Sequence, residues 1–153
     1  MPKYRIQIAN RQDSLPCREA DLRSMLEEVL RRETDLERAD LSVAVVGDEA
    51  TREVNASFLD REGVTDVIAF TYESGEDHVE GEIVVNADEA RRRAGEAGHE
   101  PWDELLLYAV HGALHVLGYE DSTPELRNRM NRRAVELMRA SGRTLDTRTL
   151  LEE

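Results

Sequence analysis

The sequence predicts a single small α+β domain over residues 1–153, with a four-stranded mixed sheet packed against about five helices. Apolar runs that are β-branched or alternate with polar residues occur at four places and are typical of strands. Segments with apolar residues at helical spacing lie between and after them. Hydrophobic residues make up 40% of the chain, which is enough for one core at this length. Because two strands follow each other and three helices come last, the order indicates the α+β class.

The first half of the chain is expected to alternate strands with helices. Residues 4–8 alternate polar and apolar side chains and predict the first strand. Residues 18–32 form an amphipathic helical pattern, and the β-branched run 41–46 predicts the second strand. Asp48 can cap a short helix that ends at Phe58, whose ring is spaced to face the core.

Two further strands and a capped helix follow. Residues 66–71 predict a buried strand, and residues 80–85 predict the fourth one. Between them, residues 72–79 are polar, acidic and contain glycine, so we expect an exposed loop in which His78 is solvated. Asn86 and Glu89 have the spacing of a capping box, which predicts a polar helix to about residue 97.

Two helices complete the predicted fold. Pro101 suits the first turn of a helix that is apolar on most sides, and Gly118 can end this helix in a left-handed conformation. Ser122 and Glu125 have capping-box spacing and predict a last helix from about residue 123 to 140. The tail after about residue 143 is expected to be loosely held.

The apolar helix also carries the strongest chemical pattern in the chain. His111 and His115 are four residues apart, which places two imidazoles on one helix face, one turn apart. After Gly118, two extended residues are long enough for Asp121 to reach the same point. Two nitrogens and one oxygen with an open coordination position are typical of a catalytic metal site.

Two other interpretations compete with the metal site. A pair of histidines at helical spacing is often a surface feature or is satisfied within a core. Two imidazoles on an apolar helix need partners for their ring nitrogens, however, and a metal ion supplies one. Asp121 could instead cap the next helix, but Ser122 is predicted to do so. The pattern therefore favours metal ligation by His111, His115 and Asp121.

The spacing matches the metal-binding helix of metzincin-type metalloproteases except at one position. Those enzymes have a glutamate as general base directly after the first histidine, and this chain has Gly112 there. Peptidase chemistry is thus disfavoured, whereas hydrolysis of a phosphodiester by a metal-bound water remains available. A glycine inside a helix also suggests close approach of another backbone or a ligand. One zinc ion is expected, with manganese, iron or nickel open as alternatives because the carboxylate hardens the ligand set.

Charge and targeting signals restrict the function further. The net charge of −13 argues against binding of nucleic acid by charge alone. Residues 124–142 nevertheless contain five arginines and two glutamates, and residues 91–93 are all arginine. These arginines either contact phosphates or balance acidic neighbours. The sequence has no long apolar run, no secretion signal and the single cysteine Cys17, so we expect a cytoplasmic protein that does not use a membrane.

Three blocks of the sequence resemble the YbeY family of ribosomal RNA maturation factors, which are described as metal-dependent endoribonucleases. The segment 111–119, His-Gly-x-Leu-His-x-x-Gly-Tyr, is similar to the family's metal-binding motif. Asn55 followed by residues 65–70, Thr-Asp-Val-Ile-Ala-Phe, looks like the family's Asn-x9-Thr-Asp-Val-Leu-Ser-Phe. Residues 81–83, Gly-Glu-Ile, resemble its Gly-Asp-Ile. The resemblance implies a metal-dependent endoribonuclease with ribosomal RNA and the small ribosomal subunit as partners.

The chain departs from the family pattern at two places. The family usually has a third histidine where this chain has Asp121, and an arginine thought to face the RNA where this chain has Leu59. Arg61, two residues later, is a candidate substitute for that arginine. Asp66 and Thr65 are candidate catalytic residues at the substrate cleft, although at the start of a strand they could simply satisfy backbone groups.

The two departures leave rival functions open. A non-catalytic ribosome-assembly factor that binds RNA, with a structural metal, is the main alternative to the endoribonuclease. A small metallopeptidase is the other, and Gly112 argues against it.

Overall fold

The structure is a computed structural model that describes residues 2–59 and 63–143. Arg61 and the tail predicted after residue 143 lie outside these residues. Nine elements occur in the described part of the chain: β1 (Lys3–Asn10), α1 (Glu19–Glu33), β2 (Arg38–Val46), α2 (Asp48–Phe58), β3 (Val67–Ser74), β4 (His78–Asn86), α3 (Ala87–Ala97), α4 (Pro101–Val116) and α5 (Pro124–Ala140).

The four strands form one mixed sheet in the order β1-β2-β4-β3. Strand β2 runs parallel to both β1 and β4, and β3 runs antiparallel to β4 at the sheet edge. The predicted α+β class with a four-stranded mixed sheet and five helices is therefore confirmed.

Helix α4 lies against one face of the sheet and forms the centre of the hydrophobic core. Nearly all of its residues from Trp102 to Val116 are buried. Two glycines permit the close contact with the sheet. A Cβ atom on Gly112 would lie 2.5 Å from Cγ2 of Ile83, and one on Gly81 would lie 2.6 Å from Cγ1 of Val116. The close approach predicted at Gly112 is thus to side chains of the sheet rather than to a backbone or a ligand.

Helix α2 covers part of the opposite sheet face, where Val46, Ile68 and Val84 form a small second core. The prediction that Phe58 faces the core is wrong, because its side chain is 73% exposed. Its ring lies edge-on to Phe70, which in turn stacks on Tyr72. Phe58 is the last residue of α2, and its ring meets Phe70 of the edge strand β3 instead of entering the core.

The prediction of an exposed loop at residues 72–79 is also wrong. Strand β3 continues to Ser74 and β4 begins at His78, so only a short turn remains. Pairing of β3 with β4 satisfies the backbone groups of this polar segment, which overrides its local composition. His78 is not merely solvated: Nε2 lies 2.8 Å from Glu73 Oε1 and Nδ1 lies 3.1 Å from Asp77 Oδ1. These hydrogen bonds raise the pKa of His78, and the bond to Asp77 has the larger effect.

Helix ends show which capping residues act. Asn86 caps α3 by accepting from the backbone N–H groups of Asp88 and Glu89, as predicted. The cap of α5 is Thr123 and not Ser122, since Thr123 Oγ1 accepts from the N–H of Leu126 at 3.1 Å. No helix among the described residues has the length and apolar character needed to cross a membrane.

Candidate metal centre

The two histidines of the motif lie in the last turns of α4, and the chain reverses directly after them. Gly118 has a φ of +105°, the left-handed conformation that the sequence predicts. The N–H of Gly118 donates to the carbonyl of His115 at 3.0 Å, and the N–H of Tyr119 donates to the carbonyl of Leu114 at 2.9 Å. This pair of bonds ends the helix and returns the following residues towards the histidine face.

The two ring nitrogens of His115 have different neighbours, a backbone carbonyl and a carboxylate. Its Nδ1 lies 3.2 Å from the backbone carbonyl oxygen of Tyr119, an arrangement in which Nδ1–H donates. The lone pair is then on Nε2, which lies 3.4 Å from Oδ2 of Asp121. A histidine ligand commonly has its other nitrogen anchored on a carbonyl in this way, because the anchor sets both the tautomer and the ring orientation.

His111 presents a buried nitrogen without a partner. Its Nε2 is buried and has no hydrogen-bond partner among the described residues, while the Asn131 side chain hydrogen bonds to the imidazole. Burial lowers the pKa of His111 to about 4, against the opposing effect of Asp66. The ring is therefore neutral at physiological pH, and an unpaired polar atom in such a place costs free energy unless it binds something.

The donor chemistry of these residues fits a metal ion. The Nε2 atom of His111 has no partner among the described residues, and the Nε2 atom of His115 lies beside the carboxylate of Asp121. Within residues 2–59 and 63–143, no three His, Cys, Asp or Glu side chains are already gathered in ligand geometry. The structure thus brings His115 and Asp121 together. His111 lies one helical turn away, and its Nε2 atom has no partner among the described residues.

Thr65 and Asp66 lie directly before β3. The next residue, Val67, contacts α4, since its Cγ2 would lie 3.1 Å from a Cβ atom on Gly112. The carboxylate of Asp66 opposes the effect of burial on the pKa of His111. Its Oδ1 accepts from the N–H of Val67 at 2.8 Å and from Thr65 Oγ1 at 3.4 Å. Its Oδ2 lies 3.4 Å from Nη1 of Arg93. One oxygen therefore accepts the backbone N–H at the start of β3, and the other lies beside the Arg93 guanidinium.

The arginine-rich segments are divided between two roles. Arg92 bonds Asp48 and Glu89, so this part of the first cluster balances acidic neighbours. On α5, Arg133 pairs with Glu33 and Glu136. Arg129 instead lines a pocket with Gly118 and the residues on either side of it, in the turn that leads from His115 to Asp121.

Sequence reasoning missed one neighbour of the histidines, Asn131. It lies on α5, is 7% exposed, and hydrogen bonds to His111. Asn131 directly follows Met130 on the buried face of α5, and this position could have indicated a buried polar contact. A polar residue on such a face normally has a specific partner.

Known proteins resemble this chain over most of its length. The family model described as endoribonuclease YbeY matches residues 7–142. A protein of Rhodopirellula baltica named endoribonuclease YbeY is 38% identical over 108 residues, covering 69% of this chain and 56% of the relative. The protein of that name from Bacillus velezensis is 34% identical over 135 residues, covering 81% of this chain and 86% of the relative.

A solved structure matches as well. The solution structure of TM1509 from Thermotoga maritima superposes with a TM-score of 0.58 and 26% sequence identity, and the match covers 90% of this chain and 91% of that one. The family model covers most of the chain and the relatives agree with it, so the chain belongs to the YbeY family.

Proposed function

We propose that this protein is a metal-dependent endoribonuclease that acts in the cytoplasm on the ribosomal RNA of the small-subunit precursor. The observation that carries the proposal is the unpartnered, buried Nε2 of His111 beside the anchored His115, within a motif of the YbeY family. Relatives bear the name endoribonuclease, which indicates RNA as the substrate class.

In this proposal His111, His115 and Asp121 hold one ion, with zinc as the expected metal. When bound, the ion supplies a Lewis acid that polarises a phosphoryl oxygen and lowers the pKa of a water molecule. Burial keeps the His111 ring neutral, and the Tyr119 carbonyl keeps the His115 lone pair on Nε2. Both histidines are thereby prepared as ligands before any ion arrives.

Asp66 is the proposed proton acceptor. Its Oδ2 is the oxygen that the strand start does not use, and it can take a proton from the attacking water. Arg93 Nη1 lies 3.4 Å from the same oxygen and helps to orient the carboxylate. Thr65 donates to Oδ1 and helps to fix the orientation of the carboxylate.

RNA contact is proposed along α5, close to the centre. Arg129 lines the pocket beside Gly118, where a guanidinium can bind a phosphate. The exposed Arg132 lies on the same helix. These cations make the site locally more favourable to RNA than the net charge of −13 suggests.

A His115→Ala variant tests the proposal. We expect the variant to lose bound metal, measured by elemental analysis, and to lose cleavage of precursor RNA. The His78→Ala variant is the matched control, because His78 is held by Glu73 and Asp77 at the far end of β4. Chelation of the wild-type protein should abolish cleavage, and re-addition of metal should restore it. Undiminished cleavage by metal-free protein would contradict the proposal.

A non-catalytic assembly factor is the second candidate, and one observation favours it. Leu59, which stands where the family usually has an arginine, packs against the small core under α2 instead of presenting a charge. This alternative predicts that His115→Ala loses stability and RNA binding together, with no turnover by either protein. Precursor cleavage by the wild type therefore separates the two candidates.

A further inference from the structure

Glu33 is an unusual residue for its position. It is the last residue of α1, and its side chain is only 7% exposed. A carboxylate at the C-terminal end of a helix is disfavoured by the helix dipole, and burial of its charge costs further free energy. Such a group persists only where specific partners compensate for both effects.

The partners of Glu33 come from two other parts of the chain. Tyr119 donates its hydroxyl to Oε2 of Glu33 at 2.7 Å. Arg133 of α5 donates from Nε to Oε1 of the same carboxylate. Both oxygens are thereby occupied, and α1, α5 and the turn after α4 are joined at one point.

Tyr119 transmits this restraint to the candidate metal centre. Its hydroxyl is held by Glu33, and its backbone N–H is held by Leu114. Its carbonyl oxygen is the acceptor for Nδ1–H of His115. The residue is thus fixed at three points, one of which determines where the imidazole of His115 is aimed.

We propose that Glu33, acting through Tyr119, is a positioning residue that orients His115 as a metal ligand. The inference rests on the proposed function only in that it needs His115 to bind metal. Glu33 itself does not contact the ion or the substrate. Its carboxylate fixes the tyrosine, the tyrosine carbonyl fixes the Nδ1–H tautomer, and Nε2 is left pointing towards Asp121.

The test measures metal affinity separately from stability. In Tyr119→Phe, the hydroxyl that reaches Glu33 is lost while the backbone carbonyl remains. We expect its dissociation constant for Zn²⁺, measured by competition with a chromogenic chelator, to rise about 10- to 100-fold. Glu33→Gln should act in the same direction. The Co²⁺-loaded variants should also show an altered visible absorption spectrum, which reports the ligand geometry.

Tyr72→Phe is the matched control, since it removes the same atom from a hydrogen bond with another carboxylate, that of Glu82. This control should keep wild-type affinity and the wild-type Co²⁺ spectrum. Urea unfolding of the metal-free proteins gives the stability of each variant. If Tyr119→Phe and Glu33→Gln lose stability but keep wild-type affinity and spectrum, the two residues only support the fold and the inference is overturned.

The same experiment distinguishes failure of the inference from failure of the proposed function. If the wild-type protein binds neither Zn²⁺ nor Co²⁺, the metal centre and the positioning role are both rejected. If the wild type binds metal and the variants bind it equally well, only the positioning role is rejected.

Discussion

Gly112 of α4 lies so close to Ile83 of β4 that a Cβ atom on the glycine would be 2.5 Å from the isoleucine Cγ2. Cγ2 of Val67 would lie 3.1 Å away on the neighbouring strand. The residue that directly follows the first histidine of the motif therefore faces the sheet. In this fold the position does not accommodate the catalytic glutamate of a metallopeptidase, which gives a steric reason for the glycine.

Substitution of Gly112 by alanine should destabilise the protein. Helix propensity alone favours alanine by about 1 kcal/mol, but overpacking a filled core costs about 1–3 kcal/mol. Ile83 is fully buried and β-branched, so it cannot move aside easily. We expect a net loss of about 1 kcal/mol in the free energy of unfolding, measured with urea.

Gly95→Ala provides the matched control for this substitution. Gly95 lies in α3, and a Cβ atom added to it would meet no atom of another described element within 4 Å. This variant should gain about 0.5–1 kcal/mol from propensity. Equal gains in both variants would show that α4 does not press on the sheet as the structure describes.

Asp121 should be necessary for metal binding. Loss of a hydrogen bond to a metal ligand already weakens metal sites about 10- to 100-fold, so removal of a direct ligand in Asp121→Ala should cost at least about 100-fold in affinity. Asp121→His, which restores the residue that the family usually has, should retain binding. Equilibrium dialysis against Zn²⁺ measures both variants, with Glu120→Ala as the neighbouring control. Wild-type affinity in Asp121→Ala would remove this residue from the ligand set.

Asp66→Asn should separate the catalytic role of this residue from its structural one. Asparagine can still accept from the N–H of Val67, but it cannot take a proton. As a proton acceptor Asp66 should contribute about 10²- to 10⁴-fold, so kcat should fall by that range while RNA binding persists. Thr65→Val should lower kcat much less. A normal kcat in Asp66→Asn would show that Asp66 only accepts the N–H of Val67 at the start of β3 and is not the proton acceptor.

Asp48 should make stability depend on pH in the acid range. Arg92, hydrogen bonded to Asp48, lowers the pKa of that carboxyl from 3.8 to about 2. Because the folded pKa is below the unfolded one, the stabilisation is complete above about pH 4 and is lost as the pH falls towards 2. Arg92 is half exposed, so we expect only about 1 kcal/mol at neutral pH.

The Asp48→Asn variant measures this contribution. Its deficit in the free energy of unfolding relative to wild type should shrink as the pH is lowered from about 5 to about 2.5. The exposed Glu96→Gln, on α3, is the control and should show a smaller difference over the same range. A deficit for Asp48→Asn that does not change with pH would contradict an ionic origin.

Much of the fold follows from local patterns. The apolar periodicity of α1 and α4, the β-branched run of β2 and the left-handed Gly118 all have local physical causes, and the structure contains each of them. The error at residues 72–79 arose because pairing across a hairpin prevails over local composition. This segment is polar and acidic, yet Glu73 and Ser74 of β3 pair with Glu80 and Val79 of β4.

The sequence by itself determined the type and order of the four strands and five helices, the position of the two histidines on one helix face and the turn that leads to Asp121. Those features depend on residues close together in the chain, whose spacing sets their geometry. Tertiary structure alone decided that Gly112 faces Ile83, that Asn131 contacts His111, and that Glu33 reaches Tyr119. These contacts join residues at least 20 positions apart, so their formation depends on how α1, α5 and the sheet pack around α4.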